Sequence, residues 1–374
     1  MTKLEKMVQE ICPNGVKTVE LIEVCDITKG IQFNKADMND QGSYPVINGG
    51  IGPSGYIEQY NQDSNKITIS QGGASAGFVN WITTKFWAGA HCYVLIPKDT
   101  VLNRYLYHFI KSKEYKLQEC QYGAGIPALA KSTVEKLYIP VPPLPVQREI
   151  VRILDNFTEL TTELTTELTT ELTARRKQYE YYRDALLTAS DNIEYQTLPE
   201  ISENLDRQRK PVTKGNREAG EYPYYGASGI VDYVSDYIFD GDYLLVSEDG
   251  ANLLARSTPI AFSISGKNWV NNHAHVLKFD TAIMQKYVEI YLNSIDLSKY
   301  ISGGAQPKLN QDNLNKIPIP VPPFNKVKII VAILEKFSAL CNDLTSGLPA
   351  EIEARKKQYE YYRDKLLTFQ EAKI

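Results

Sequence analysis

Residues 139–188 read IPVPPLPVQREIVRILDNFTELTTELTTELTTELTARRKQYEYYRDALLT, and residues 319–368 read IPVPPFNKVKIIVAILEKFSALCNDLTSGLPAEIEARKKQYEYYRDKLLT. The two stretches align without a gap at an offset of 180. The match begins at residue 126, and 31 of its 63 positions are identical. The octapeptide Lys177–Asp184 recurs unchanged at Lys357–Asp364. Chance does not produce this, so the chain is built twice on one plan. Prolines suit the first turn of a helix but not its interior. Pro142, Pro143 and Pro145 therefore place a helix start near 145. Helically spaced apolar residues follow: Ile150, Ile153, Leu154, Phe157, Leu160 and Leu164, matched by Ile330, Ile333, Leu334, Phe337, Leu340 and Leu344. Nothing interrupts the first pattern before about Thr188, which gives a helix on the order of 60 Å long at roughly 1.5 Å per residue. A helix of that length needs a partner.

Inside it lies Thr158–Thr173, TELTTELTTELTTELT, with leucines at 160, 164, 168 and 172 and glutamates at 159, 163, 167 and 171. A period of four drifts by about 40° per repeat on a helix of 3.6 residues per turn, so the leucine stripe winds slowly round it. Threonine is a poor helix former, and like charges four apart cost roughly 0.2–0.5 kcal/mol per pair. The stretch should not stand alone. The second helical copy is the expected partner, Leu160, Leu164, Leu168 and Leu172 pairing with Leu340, Leu344, Leu348 and Ile352 in an antiparallel arrangement about a pseudo-twofold axis. Ser346-Gly347-Leu348-Pro349 replaces one repeat in the second copy, so residues 326–368 should form two helical pieces with Pro349 in the first turn of the second. The four-residue repeat is either an inert spacer or a ruler whose length sets a distance. The two similar units flanking it favour the ruler.

Ahead of each helical copy the chain matches more weakly but in the same order. Tyr44-Pro45 followed by Asn48-Gly49-Gly50 corresponds to Tyr222-Pro223 followed by Gly226-Ala227. Ser70-Gln71-Gly72-Gly73 corresponds to Ser247-Glu248-Asp249-Gly250, and Trp87 and His91 correspond to Trp269 and His273. Lys66–Ser70, His91–Ile96 and Tyr243–Ser247 read as strands bounded by Gly-rich turns. Asn103–Lys116 and Met284–Ser294 have helical apolar spacing. The fold class is α+β: two globular units, 1–139 and 190–317, alternating with two long helical regions, 140–189 and 318–374.

Composition bounds the function. At 374 residues, 43% hydrophobic and 23% charged, the chain is an ordinary globular protein of two or three domains. No stretch approaches the roughly 20 apolar residues of a membrane span, and the N-terminus lacks the apolar core of a secretory signal, so a cytoplasmic location is expected. Cysteines at 12, 25, 92, 120 and 341 form no CxxC pair, which argues against a disulfide framework or zinc site. Tyrosines number 25 against 11 phenylalanines, which suggests many half-buried rings with polar tips. Val321-Pro322-Pro323-Phe324 lacks the Asn or Asp that the N/D-P-P-Y/F signature of amino-methyltransferases needs to accept a hydrogen bond from the target amine. Gly266-Lys267 has Ala261 where a P-loop needs its first glycine. Gly72–Gly77 lacks dinucleotide-binding spacing. The histidines show no metal-ligand spacing with acids or cysteines. No catalytic residue and no metal site is expected.

Binding signals are stronger. Arg207, Arg209, Lys210, Lys214 and Arg217 put five positive charges into eleven residues just before Tyr222-Pro223. This is either a solvated loop or a phosphate anchor, which would be salt-dependent and blind to sequence. The matching loop of the first unit has only Lys29 and Lys35, so the units should not bind identically. The loops Gln71–Ser75 and Glu248–Arg256 carry Gln71, Ser75, Asn252 and Arg256, side chains able to meet base edges in a major groove. Asn271, Asn272 and His273 are further candidates. With a formal net charge of −4, phosphate binding by this chain alone should be weak.

The duplicated IPVPP-to-KQYEYYRDxLL element with tandem TxEL units in its first helix resembles the specificity (S) subunit of type I restriction-modification systems, over essentially the whole chain. The resemblance implies that 1–139 and 190–317 are target-recognition domains, each reading half of a bipartite sequence in double-stranded DNA. It implies that the helical regions form an antiparallel coiled coil and hold modification (M) subunits, probably two, in a complex with restriction (R) subunits. S-adenosylmethionine, ATP and Mg would then belong to those partners. The competing reading is a coiled-coil scaffold carrying two ligand-binding modules not specific for DNA.

Overall fold

In the computed structural model, which describes residues 2–39, 41–123, 125–188, 194–304, 306–343 and 346–372, the chain divides into two compact units. Unit 1 comprises Met1–Leu168 and Ile352–Ile374; unit 2 comprises Thr169–Glu351. The division falls within the helical regions rather than at their ends.

Unit 1 opens with α1 (Lys3–Ile11), started by a capping box in which Thr2 and Glu5 satisfy each other's backbone N–H. Among the strands that follow are β1 (Cys25–Lys29), β2 (Tyr44–Ile47), β3 (Lys66–Ser70), β4 (Val79–Ile82), β5 (Trp87–Ala88) and β6 (Cys92–Pro97). They form an antiparallel sheet of order β1-β6-β3-β4 and a smaller sheet in which β2 lies between Tyr56–Ile57 and β5. In the register of the smaller sheet Val46 faces Trp87, in parallel. Strand β3 is central and covered on both faces, so Ile67, Thr68 and Ile69 are all buried. The helix α2 (Asn103–Ser112) lays Tyr105, Leu106, Phe109 and Ile110 on the core, and the Tyr105 hydroxyl donates to the Pro140 carbonyl at 2.9 Å. The helical reading of 103–116 is thus two helices, the second being Glu114–Glu119.

The helix α3 (Leu144–Thr188) runs 45 residues without a break. Its threonine hydroxyls are satisfied within the helix itself. Thr158, Thr162, Thr165, Thr166 and Thr173 each donate a hydroxyl hydrogen to the carbonyl four residues earlier.

Unit 2 repeats the plan with β7 (Glu203–Asn204), β8 (Ala219–Gly226), β9 (Tyr243–Ser247), β10 (Ala261–Ile264), β11 (Lys267–Val270) and β12 (Ala274–Lys278). The main sheet has order β7-β12-β9-β10, and β8 pairs in parallel with β11 so that Tyr224 faces Trp269. The register Val46–Trp87 is thereby kept in the second copy. Helix α4 (Ala282–Ser294) covers the sheet, and its Tyr291 hydroxyl donates to the Pro318 carbonyl at 3.0 Å. Helices α5 (Phe324–Asn342) and α6 (Leu348–Leu366) are separate, with Pro349 at the second position of α6.

Each unit pairs one piece of α3 with a piece of the second helical copy. In unit 1, Phe157 stacks on Tyr362 at 5.9 Å and the Thr158 and Tyr359 hydroxyls lie 3.0 Å apart, so α3 and α6 run antiparallel. A cavity of about 160 Å³ is lined by Leu160 and Leu164 from α3 and by Arg355, Gln358 and Tyr359 from α6. In unit 2, Tyr182 packs on Phe337 at 5.8 Å, the repeat-related pair, while Tyr179 and Leu187 join a core with Val327, Ile330, Val331 and Leu334 from α5. The two copies of KQYEYYRD therefore supply the same ring contact. Of the leucine stripe, Leu164, Leu168, Leu172, Leu348 and Ile352 are half-buried. Leu160 is 62% and Leu340 40% exposed, and Leu344 lies outside the described residues. The stacked rings Phe157, Tyr182 and Tyr362 are themselves 38–41% exposed, so rings and leucines share the seam.

Where α1 meets α3, the buried Glu149 carboxylate accepts from Arg152 at 2.8 and 3.0 Å and from Lys3 at 3.3 Å. The Arg152 guanidinium chiefly, helped by Lys3 and opposed by burial, lowers its pKa from 4.5 to about 2. A depressed carboxyl pKa stabilises the fold fully above the unfolded value, and that contribution fades as pH falls through the folded one. Glu149→Gln is expected to melt below the wild type at pH 6, with the gap closing between pH 4.5 and 2. Thermal melts across that range test this, and a gap constant with pH contradicts it.

Candidate nucleic-acid interface

Four loops meet in unit 1: Asn48–Gly50 after β2, Gln71–Ser75 after β3, Gly89–His91 before β6, and Ile126–Ala128. Backbone bonds lock them together: Gln71 N–H to the His91 carbonyl, Gly73 N–H to Pro127, and Leu129 N–H to Gln71, each at 2.8 Å. Unit 2 makes the same three bonds. Glu248 N–H donates to His273, Gly250 N–H to Pro307 and Leu309 N–H to Glu248, at 2.7–3.1 Å. The indole of Trp87 donates to the Ile31 carbonyl at 2.9 Å, and that of Trp269 to the Lys210 carbonyl at 2.6 Å, pinning the preceding loop in each unit. The two units thus share one backbone frame and differ in the side chains mounted on it.

One hydrogen bond shows how firmly that frame is kept. The His91 N–H donates to Asn48 Oδ1 at 2.8 Å, and the His273 N–H to Asn271 Oδ1 at 2.8 Å. By alignment Asn48 corresponds to Gly226, and Gly89 to Asn271. The asparagine and the glycine have exchanged strands, yet the histidine amide keeps its acceptor. Gly89 must stay small because a Cβ there would lie 2.8 Å from Asn48 Oδ1. Asn48→Gly and Gly89→Asn are each expected to destabilise unit 1, by about 1 kcal/mol for a lost hydrogen bond or more for a clash. The double variant should recover most of the loss. Denaturant unfolding of the three variants checks this, and strict additivity would refute it.

The sequence-based candidates fall into two groups. Arg207, Lys210 and Lys214 are exposed and form no ion pair among the described residues; Lys29, Lys35 and Asn272 are likewise exposed. The others are engaged inside their units. Arg217 pairs with Asp232 at 3.1 Å and lies 4.3 Å over the Tyr224 ring. Asn252 Oδ1 accepts from Ser257 and the Thr258 N–H, and the half-buried Arg256 donates to the Ile295 carbonyl at 2.8 Å. Asn271 is buried at its capping post. Gln71 and Ser75 are half-buried, and Gln71 Oε1 has no partner among the described residues. The charge run at 207–217 therefore presents three displayed cations, because acids hold Arg209 and Arg217.

Arg209 is the centre of a network that sequence reasoning missed. Its guanidinium reaches Glu248 at 2.7 Å, the Ala274 carbonyl at 2.8 Å and Asp206 at 3.3 Å. His275 Nδ1 faces Asp206 at 2.5 Å and its Nε2 donates to the Leu309 carbonyl at 2.8 Å, while Lys308 reaches Glu248 at 3.2 Å. Burial opposes the charge on Asp206, but the His275 ring, the Val276 N–H and Arg209 outweigh it and hold the carboxyl below its usual pKa. Glu248 is lowered likewise, burial being overcome by Arg209, His275 and Lys308. Asp206, Glu248 and His275 offer ligand atoms within 4.8 Å of one another, though nothing in their spacing along the chain announces it. Arg209 already lies across both carboxylates. In unit 1 Gln71 stands in place of Glu248, and the Tyr93 hydroxyl takes the place of His275, donating to the Leu129 carbonyl at 3.1 Å.

Among the described residues, no helix is long and apolar enough to cross a membrane. The family model for the type I restriction modification DNA specificity domain matches residues 13–174 and again 190–354. A putative type I restriction enzyme specificity subunit of Haemophilus influenzae is 32% identical over 98% of both chains. A type I restriction enzyme specificity subunit of Escherichia coli is 30% identical over 99% of this chain and 97% of its own. Among solved structures, the S subunit of a type I restriction-modification system from M. genitalium covers 95% of both chains with a TM-score of 0.51 at 20% identity. A chain from a study of assembly and conformational transition in a type I system reaches 0.67 at 16% identity, over 96% of this chain and 98% of its own.

Proposed function

The chain belongs to the type I restriction modification DNA specificity family, and from that premise we propose that each copy of the four-loop frame reads one half of a bipartite target in double-stranded DNA. The chain is the non-catalytic specificity subunit of the complex. The observation that carries the proposal is the repeated frame itself: the same backbone bonds in both units, with His91 and Gly72 in one and His273 and Asp249 in the other. A common scaffold with unlike side chains suits two readers of one kind of ligand with different sequences.

The recognition domains are residues 1–139 and 190–317. Lys29 and Lys35 in the first, and Arg207, Lys210 and Lys214 in the second, anchor phosphates without sequence preference. The side chains on the loops meet base edges. The helical regions 140–189 and 318–374 hold the M subunits, with R subunits joining the larger assembly. S-adenosylmethionine, ATP and Mg are bound by those partners, and the complex works in the cytoplasm. A net charge of −4 is consistent with partners supplying much of the affinity for DNA.

The test is a map of methylated positions in cells expressing this chain with its methyltransferase partner. A split motif is expected, and replacing residues 194–317 with those of another specificity subunit should change one half only. A chain whose presence alters no methylation, and whose complex binds DNA no better than the methyltransferase alone, would favour the scaffold reading.

A further inference from the structure

We propose that His273, oriented by Asp249, contacts a base edge and fixes one position of the half-site read by unit 2. The inference rests on the DNA-reading function above and names a residue pair within it. The His273 Nδ1 lies 2.8 and 3.0 Å from the two Asp249 carboxylate oxygens, which can only accept, so the hydrogen of the ring sits on Nδ1. On the neutral ring Nε2 is then an acceptor, with no partner among the described residues, on a side chain 51% exposed. Both members are mounted on fixed backbone. The His273 N–H is held by Asn271 and its carbonyl by the Glu248 N–H, while the residues flanking Asp249 bond to Pro307 and Leu309. The ring is therefore presented in a set direction rather than swinging free.

The cations lie in the right place. Arg209 donates to the Ala274 carbonyl and pairs with Glu248, each one residue away from a member of the pair. Lys210 and Arg207, close to Arg209 along the chain, are exposed, and a phosphate backbone held by them would run near His273. An imidazole acceptor facing the major groove suits an exocyclic amine, N6 of adenine or N4 of cytosine. Unit 1 is the natural control. The residue opposite His91 is Gly72, whose Cβ, were one added, would lie 3.5 Å from His91 Nδ1, an ordinary contact. Among the described residues no carboxylate bonds the His91 ring to fix its tautomer, and it reads less strictly.

The complete complex with Asp249→Gly, His273→Ala or Gly72→Asp is expressed in cells and its methylated positions are mapped. Asp249→Gly and His273→Ala are expected to relax one position of the unit 2 half-site, with methylation at non-cognate bases rising at least tenfold, while the other half-site and the spacer stay as in the wild type. Gly72→Asp is expected to sharpen one position of the unit 1 half-site. If a variant complex fails to methylate, competition binding of the purified complex against duplexes varied at each half-site position applies the same criterion. Wild-type preference at every position in both the Asp249→Gly and His273→Ala variants overturns the proposal. A wild-type chain that directs no split motif would instead defeat the function on which it rests.

Discussion

Deleting Thr162–Thr165 is expected to shorten the unspecified stretch between the two half-sites by one to two base pairs while leaving both half-sites unchanged. The helix α3 contributes residues to both units and is continuous over 45 residues, so a four-residue deletion acts on the element common to them. Four residues remove about 6 Å of helix, against roughly 3.4 Å per base pair. The repeat tolerates excision because each TTEL unit is self-contained: Thr162 and Thr166 donate to carbonyls of the turn before, and the joined sequence keeps that spacing. The deletion also turns the downstream helix by about 40°, which a slowly winding stripe of half-buried leucines accommodates better than a packed core would. Mapping methylation for the deletion variant checks the prediction. An unchanged spacer length would remove the ruler from the account and leave the repeat as inert coil.

The largest loss of stability is expected at Arg209. Asp206 and Glu248 are 6% and 12% exposed, and Arg209 bridges them. Arg209→Met leaves two buried carboxylates with only His275 and Lys308 opposite them. Breaking a buried pair from one side costs about 3–5 kcal/mol, because the remaining charge is uncompensated. Adding Glu248→Gln, which installs the residue unit 1 carries at Gln71, should restore part of the loss, whereas Lys214→Met should shift stability by less than about 0.5 kcal/mol. Denaturant unfolding followed by tyrosine and tryptophan fluorescence measures all three. An Arg209→Met variant as stable as Lys214→Met would mean that the network carries no net charge compensation.

The sequence made the helices and the duplication legible because both are periodic. The proline entry at 142–145, the break at Gly347-Pro349 and the paired KQYEYYRD segments needed only local rules, and strands such as Lys66–Ser70 stood out as apolar runs between turns. What local rules could not reach was pairing across the fold. Arg209 looked like one charge in a run of five, and only in space does it meet Glu248, 39 residues on. Asn252 and Arg256 read as loop side chains, but a helical turn over Asn252–Ala255 and the left-handed Arg256, with φ of 50°, direct them into the unit. The segment Ile126–Ala128, which closes the four-loop frame, was passed over. Its signal was available in the repeat itself, since Ile126-Pro127 and Gln306-Pro307 open the matched segment.

The exchanged asparagine and glycine also constrain how such proteins diversify. A recombination event crossing over within a globular unit would join the first part of one copy to the last part of the other. One product would carry Asn48 against Asn271, two amides competing for a single berth. The reciprocal product would carry Gly226 against Gly89, with the histidine amide left bare. Crossovers inside the long helices avoid both, because there the two copies spell nearly the same words. New specificities should therefore arise by trading whole units, with the joints in the helices.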